Sequence, residues 1–300
     1  MAFLFNSGSL TSFEMTVLIS GIQNDRYSAY FCSSLTAALL KDQFFQPFDE
    51  SIAQYSLPEK FTNPFQYEPH PLCLLAAEQV QQYLRTQTDW EHNFGLNLEQ
   101  EGAVIGKMFG VLVVRNTQNE IGFLAAFSGK LAGGYHHSTF VPPVFDALTE
   151  DSFLNIGMAE LNAINLEIKT LEAETSTDYT EQIDSLKLRR KNNSVALQDK
   201  LFDEYSFLNQ AGDEKNLRTL FRIFSNTNPP AGAGECAAPK LLQYAFQHNM
   251  QPLAIAEFWW GLSPKSDYWK HGHFYPACQQ KCAPILSHML EGIELEVKQP

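Results

Sequence analysis

Three of the five cysteines in this sequence lie in one short region that also holds three histidines. Cys236 follows the stretch "NPPAGAGE", and Cys278 and Cys282 are four residues apart in "HGHFYPACQQKC". Zinc prefers thiolate ligands, and a histidine nitrogen often completes its coordination. The pattern is therefore typical of a zinc site made by the three cysteines, with His271 or His273 as the fourth ligand. The alternative is three reduced cysteines in an apolar core, since few and odd-numbered cysteines do not indicate a disulfide framework.

The elements around these cysteines can be predicted from local pattern. Pro239 suits the first turn of a helix, which continues through "KLLQYAFQHN". A buried strand, "QPLAIAEFWWG", follows, and "CAPILSHMLEG" predicts another helix that ends at Gly292. We therefore expect Cys236 to begin one helix, and Cys278 and Cys282 to lie on one face at or just before the start of the next.

Upstream of the cysteines, the sequence predicts one helix and two strands. The helix begins at Pro71 and carries a stripe of apolar residues at spacings of three and four: Leu74, Ala77, Val80 and Leu84. The runs "KMFGVLVVRN" (107–116) and "EIGFLAAFSGKL" (120–131) predict a hairpin across Thr117–Asn119. The order of elements predicts an α/β sandwich, a sheet covered by helices.

Residues 151–226 differ from the rest of the chain. Apolar residues in the first half follow the seam of a coiled coil (Leu161, Ile164, Ile168 and Leu171), and a second helix carries Leu186, Leu197, Leu201, Tyr205 and Leu208. We expect an inserted antiparallel helical arm over 151–226, able to dock a partner protein or a second copy of the chain. The remaining divisions are an irregular lead-in with its helix (1–100) and an α/β core made of 101–150 and 227–296.

The arm carries the densest basic cluster of the chain, Lys187, Arg189, Arg190 and Lys191. With 34 acidic and 21 basic residues, the formal charge of −13 excludes a surface that binds nucleic acid everywhere. Any RNA contact must then be local: at this cluster and on a surface that includes Lys240 and Trp260. A solvated helix face is the alternative for the cluster.

The arrangement of thiolates at the starts of two helices resembles the zinc site of the zinc deaminases. The predicted order of strand, strand, helix, strand, helix is also similar to the deaminase fold, which implies a zinc-dependent enzyme that acts on a nucleobase. Two residues after the first ligand, that family requires a Glu, and this sequence has Ala238. The second pair is spaced C-x-x-x-C in place of C-x-x-C. Glu235 and Glu257 are the nearby carboxylates that could take the role of the missing Glu.

A second resemblance covers most of the chain, from about Leu57 to Leu295. "EPHPLCLLAAEQVQQYL", "IGFLAAFSGKLAG", "PPAGAGECAAPKLLQYAFQHNMQPLAIAEFWWG" and "HGHFYPACQQKCAPILSHMLEG" resemble the N-terminal extension of bacterial RluA-type RNA pseudouridine synthases. The resemblance implies a non-catalytic module that binds or places ribosomal or transfer RNA for a synthase domain. The Arg-Leu-Asp motif of that domain does not occur here, so no catalytic Asp is assigned. We expect a fragment of a longer synthase or a stand-alone relative.

Two further features complete the sequence-based predictions. His136 and His137 follow a pair of glycines in "GGYHHSTF" and could contact a ligand or metal, although a structural pair is the favoured interpretation. Trp259 and Trp260 must point to opposite faces of their strand, so at most one lines a base-stacking surface. The N-terminus lacks the basic region of a signal peptide, and no apolar run is long enough to cross a bilayer. We therefore expect a cytoplasmic protein without a membrane anchor.

Overall fold

A computed structural model describes residues 42–296 except 67, 98, 148, 150, 151 and 175–177. These residues contain six helices: α1 (Pro71–Thr86), α2 (Phe153–Ala173), α3 (Thr180–Asp203), α4 (Leu217–Ser225), α5 (Ala237–Gln247) and α6 (Ala283–Met289). The strands are β1 (Gln46–Pro47), β2 (Lys107–Arg115), β3 (Ile121–Phe127), β4 (Ser206–Leu208), β5 (Glu214–Asn216), β6 (Gln251–Trp260) and β7 (Phe274–Tyr275). Residues 1–41 of the predicted lead-in, Cys32 among them, lie outside the described residues.

Five strands form one antiparallel sheet in the order β1-β3-β2-β6-β7. The predicted hairpin joins β2 to β3, and the Asn116 side chain accepts hydrogen bonds from the backbone N–H groups of Gln118 and Glu120. Asn119 adopts a left-handed φ of 62° in this turn, a conformation that asparagine tolerates better than most residues. Residues 109–114 of β2 are all buried, so this strand is covered on both faces.

Helices cover the two faces of the sheet. On one face, Leu72 and Val80 of α1 pack in a core that includes Val111 and Val113. Leu74, predicted on the buried side of α1, is instead 45% exposed, because the buried stripe also includes Cys73 and Ala76. The architecture is mixed α/β, as the order of elements predicted.

On the other face, α5 lies close to the sheet because β2 has a glycine at the crossing. A Cβ atom at Gly110 would lie 2.9 Å from Cβ of Ala237 and 3.0 Å from Cδ1 of Leu241. Any larger residue at position 110 would push the start of α5 away from β2. This close approach fixes the residue that precedes α5, which is Cys236.

The helices α2 and α3 pack against each other in antiparallel directions. Leu197 lies so near Gly157 that a Cβ atom there would be 2.6 Å from its Cδ1, and further along Lys187 pairs with Glu172 at 2.8 Å. Their small shared core is made of Ile164, Ile168 and Leu186, with Leu171 and Ile183 packed against it. Four residues of the predicted seam, Ile164, Ile168, Leu171 and Leu186, lie in this contact between the two helices.

The region beyond α3 corrects the predicted limits of the arm. The second helix ends at Asp203, so Tyr205 and Leu208 are not part of it. Tyr205 and Phe207 are buried in the main core, as are Leu217 and Phe221 from the start and middle of α4. The helical pair thus spans about residues 153–203, and the segment up to residue 226 packs with the core. Leu201, Tyr205 and Leu208 continue the helical spacing of four and three, although the last of them lies in a strand, which is why the pattern alone extended the arm too far.

The described residues from Phe44 onward group into one compact unit. Among the helices of the described residues, none combines the length and the apolar character needed to cross a membrane.

Candidate metal site and cleft

The three predicted cysteine ligands come together. Cys236 is the residue before α5, Cys282 is the residue before α6, and Cys278 lies one turn earlier. Their sulfur atoms all lie within 4.8 Å of one another, with 3.3 Å between the sulfurs of Cys278 and Cys282. Cys282 is buried, Cys236 is half-buried and Cys278 is exposed, so the cluster reaches from the core to the surface.

The protonation of the cluster is asymmetric. Hydrogen bonds from the Cys236 and Cys282 thiols lower the pKa of the Cys278 thiol. The hydrogen bond to Cys278 raises the pKa of Cys236. The pKa of Cys282 is also raised, and its hydrogen bond with Cys236 is the largest cause. Zinc binds thiolates and not thiols, so metal binding must release protons from this cluster and the affinity should rise with pH.

The donor set fits zinc. Tetrahedral zinc with Zn–S bonds of about 2.3 Å holds its sulfur ligands about 3.8 Å apart, which is inside the spread of this cluster. Three thiolates leave one coordination position open, as in catalytic rather than closed structural sites. No carboxylate or histidine among the described residues joins the group.

The predicted histidine ligands are not brought to the cluster. Nδ1 of His271 accepts a hydrogen bond from the backbone N–H of Gly261 at 3.0 Å, and its ring packs at 4.3 Å from the ring of Trp260. The side chain of His273 is exposed, and its backbone carbonyl accepts from Trp259. The spacing from the cysteines suggested a ligand, but the pairing of β7 with β6 directs this segment along the sheet edge.

Glu257 is a buried carboxylate whose pKa suits proton transfer near neutral pH. It lies on β6, is 7% exposed, and accepts a hydrogen bond from the backbone N–H of Ala238 at 3.3 Å. Burial raises its pKa to about 7, and the Cys278 charge acts in the same direction. Ala238 is the position at which the deaminase motif carries its Glu. The Glu257 carboxylate on strand β6 thus reaches the backbone of helix α5 at that position.

The cysteines and Glu257 line one cleft with a volume of about 680 Å³. Its other walls come from distant parts of the chain: Lys107 and Met108 of β2, Ser128 and Gly129 after β3, Gly232 and Glu235 before α5, Trp259 of β6, and Trp269, Pro276, Gln279, Gln280 and Lys281. The cleft therefore combines three thiols that could hold a metal ion, two aromatic rings and charges of both signs.

A buried polar network supports the wall next to Cys236. Glu235 Oε1 accepts hydrogen bonds from the hydroxyls of Tyr135 and Tyr205 at 2.9 and 3.1 Å. Burial and the Glu235 charge raise the pKa of both tyrosines, so they stay donors. The backbone carbonyl of Glu235 also accepts from Gly129 N–H. The loop before Cys236 is thereby tied to the end of β3.

Two predicted RNA contacts are corrected by burial. Lys240 is 3% exposed, and its ammonium group donates to the carbonyls of Phe127 and Gly129 at 2.9 and 3.1 Å. Burial lowers its pKa to about 8. Trp260 is 2% exposed, with the Arg85 guanidinium 5.0 Å from its ring. Neither side chain offers a surface to RNA; of the two adjacent tryptophans, Trp259 lines the cleft.

The basic cluster of the arm is largely engaged with α2. Lys187 pairs with Glu172, Arg189 with Glu160 at 3.1 Å, and the Arg190 guanidinium donates to Asn165 at 2.8 Å. All four basic residues lie in the body of α3 and not at the end of the hairpin. Lys191 is exposed.

The histidine pair is structural. Nε2 of His136 lies 2.7 Å from a carboxylate oxygen of Asp146, and Nε2 of His137 lies 2.9 Å from the Leu131 carbonyl. The ring of His137 also packs against Trp90 and Phe127. Neither histidine lines the cleft.

The sequence interpretation missed three residues of the cleft. Lys107 begins β2, Lys281 lies inside the C-x-x-x-C segment, and Trp269 lies in the loop before β7. A signal existed for Lys281, because a lysine between two candidate ligands faces the same site as they do. No local pattern marks Trp269, whose position depends on its contact with Trp259.

Comparison of the chain with protein-family models, with curated proteins and with solved structures finds no significant match.

Proposed function

We propose that this protein holds a zinc ion with Cys236, Cys278 and Cys282 and binds RNA at the adjoining cleft, as a placement module for a pseudouridine synthase. The observation that carries the proposal is the single cleft that joins the thiol cluster to two lysines and two tryptophans. The sequence resemblance to the extension of RluA-type synthases supports the RNA context.

The cleft is a better RNA site than the arm. Three of the four basic side chains of the arm already contact α2, whereas Lys107 and Lys281 line an open cleft. A chain with a net charge of −13 repels RNA at long range, so binding must depend on a few phosphate contacts at short range. The expected salt dependence is therefore shallow for an RNA-binding protein.

A zinc ion at this site would hold two segments of the chain together. Cys236 belongs to the start of α5 and Cys278 to the loop before α6, so joint ligation ties these two walls of the cleft together. Loss of the metal would free these two walls from each other, and should therefore weaken RNA binding even where no ligand side chain contacts RNA.

The test compares the zinc-loaded chain with its Cys278→Ser variant in binding to a fluorescent RNA hairpin. Cys278 is the exposed ligand, so its replacement disturbs the core least. We expect about one zinc per wild-type chain by elemental analysis, and RNA binding weakened at least about 10-fold in the variant. The matched control is Cys73→Ala, which lies in α1 away from the cleft and should keep both zinc and RNA affinity. Absence of RNA binding by the zinc-loaded wild type at low salt contradicts the proposal.

Hydrolytic deamination of a nucleobase is the second candidate function, favoured by the bond between Glu257 and the Ala238 N–H. The order of α1, β2, β3, α5, β6 and α6 supports the likeness to the deaminase fold. Cys236, Cys278 and Cys282 would hold zinc, which would supply Lewis-acid chemistry in such a site. Glu257 would carry a proton to the departing amino group during hydrolysis, in which base and water yield a carbonyl and ammonia.

Ammonia release from cytidine- or adenosine-containing RNA tests this second function. We expect Glu257→Gln to abolish release and to retain zinc, because the residue is not among the grouped ligands. Equal release by Glu257→Gln and wild type removes Glu257 from the chemistry. If the zinc-loaded wild type releases no ammonia, deamination is wrong and RNA placement is the remaining proposal.

A further inference from the structure

The cleft has an aromatic wall. The rings of Trp259 and Trp269 stack with their centroids 5.1 Å apart and their planes 20° apart. Tyr275 meets Trp269 edge-on at 4.7 Å, and Tyr268 does so at 4.8 Å. Both tryptophans are half-buried and line the cleft, so part of each ring faces the open space. Such a wall offers a flat apolar contact to a planar ligand.

The cleft also has two cations. Lys107 and Lys281 are both half-buried, and neither forms an ion pair within 4.0 Å among the described residues, in contrast to Lys60, Lys187 and Lys215. Lys281 approaches the backbone of Gly232, where a Cβ atom would lie 3.3 Å from its Nζ.

Lys107 has one anionic neighbour in the cleft. A Cβ atom at Gly129 would lie 4.0 Å from Nζ of Lys107 and 3.7 Å from Oε2 of Glu235. Burial lowers the pKa of Lys107, and the Glu235 charge opposes this effect. Since the other oxygen of Glu235 accepts both tyrosine hydroxyls, this carboxylate is shared among several donors. An additional anion in the cleft therefore has two ammonium groups to contact.

A nucleotide has both a planar ring for the aromatic wall and an anionic group for the two lysines. The volume of about 680 Å³ lies within the usual range of small-ligand sites. A base inside a duplex has both faces covered by its neighbours, so only an unpaired base can stack on a protein ring. Side chains from α1 and β2 fill the far side of the sheet, whereas this cleft places two tryptophans and two lysines around one open space.

We infer that the cleft binds one unpaired nucleotide of RNA, with its base against the Trp259–Trp269 wall and its phosphate on Lys107 and Lys281. This inference rests on the proposed RNA-placement function and names the feature of RNA that the same cleft selects. The same chemistry is present in a free nucleoside monophosphate, so the experiment includes both forms of the ligand.

The experiment measures binding of the zinc-loaded full chain to two fluorescent RNAs with the same stem, one with a single-base bulge and one fully paired. Uridine monophosphate serves as the free-nucleotide competitor. The variants are Trp269→Ala, Trp269→Phe and Lys281→Ala, and the control is Lys191→Ala on the exposed face of the arm. Zinc content and circular dichroism confirm that each variant is folded.

We expect wild type to prefer the bulged RNA and Trp269→Ala to lose roughly 5- to 100-fold in affinity for it. Trp269→Phe should recover most of the loss, because phenylalanine keeps a stacking ring. Lys281→Ala should weaken binding several-fold and reduce the salt slope by about one. The control should bind like wild type.

Three outcomes separate this inference from the function on which it rests. If wild type binds RNA and none of the cleft variants differs from it, the inference is wrong and the RNA function stands. Equal affinity of wild type for bulged and paired RNA also overturns the inference. If wild type binds uridine monophosphate and neither RNA, both the RNA function and the inference are wrong.

Discussion

The thiol cluster and the arm differ in how many independent contacts hold their residues in place. Cys236 is fixed by the close crossing of α5 over β2 at Gly110, and Cys282 is 1% exposed in the main core. The two arm helices share a core of three buried residues. Large apolar side chains on the arm are open to solvent, including Ile156 at 64% and Leu166 at 67% exposure.

This difference indicates which region can support chemistry. Metal ligands and binding residues need positions fixed to within a fraction of an ångström, and only elements locked by packing provide them. Regions with few buried contacts open locally at low free-energy cost. The sheet and its helices are therefore the scaffold of the site, and the arm has only a small buried core of its own.

The largest expected effect is at the thiol cluster. Cys236→Ser should reduce bound zinc from about one per chain to near zero, because zinc binds serine oxygen far more weakly than thiolate. With zinc at about a thousand times its dissociation constant, the lost stabilisation is about 4 kcal/mol, or a fall in Tm of about 10 °C. Elemental analysis and thermal unfolding measure both changes. A variant that keeps its zinc contradicts the assigned ligand set.

The second-largest expected effect is a pH dependence of stability that is caused by the buried carboxylate of Glu257. Burial raises the pKa of Glu257 to about 7 in the folded state, whereas the ordinary value is 4.5. Between these values the folded state binds more protons than the unfolded state, so the free energy of unfolding falls as pH rises from about 4.5 to about 7. One pKa unit corresponds to about 1.4 kcal/mol, so the fall is about 3 kcal/mol.

Glu257→Gln removes this titration. Chemical unfolding of metal-free protein from pH 4.5 to 8 should show the variant gaining stability relative to wild type as pH rises. The control is Glu99→Gln, an exposed carboxylate whose replacement should show no such trend. A constant difference between Glu257→Gln and wild type over this range contradicts a buried carboxyl group at residue 257.

A smaller effect is expected in the arm. Leu186→Ala removes one of the three buried residues between α2 and α3. Amide hydrogen exchange in both helices should accelerate about 10-fold or more, while exchange in β2 and β6 stays slow and zinc is retained. The control is Leu188→Ala, since Leu188 is 60% exposed on the same helix. Equal acceleration in β2 shows that arm and core unfold as one unit, and the contrast between them then fails.

The smallest effect is at the surface of the arm. Glu160→Ala removes the ion pair with Arg189 at 3.1 Å, whose side chains are 48% and 59% exposed. Solvent screens such pairs, so the free energy of unfolding should change by less than about 1 kcal/mol. Denaturant unfolding measures the change. A larger loss indicates that the arm depends on its charges more than on its apolar contact.

Much of the fold followed from the sequence, and less of the site did. The β2–β3 hairpin, the strand β6 and the helix after Cys236 were predicted correctly from periodicity and from proline and turn residues. The convergence of the three thiols was also expected, because two of them share one segment and the third opens a neighbouring helix. The burial of Lys240 was missed, since its two carbonyl partners lie more than a hundred residues earlier in the chain.

The sequence by itself determined the elements of this protein: where helices begin, which runs become buried strands, and that the two adjacent tryptophans take opposite faces of their strand. These properties depend on neighbours along the chain, whose geometry is repeated and local. Only the tertiary structure decided that Trp260 goes under α1 and Trp259 into the cleft, and that Glu257 reaches Ala238 from another strand. Burial and contact depend on which distant elements pack together, and no local pattern carries that information.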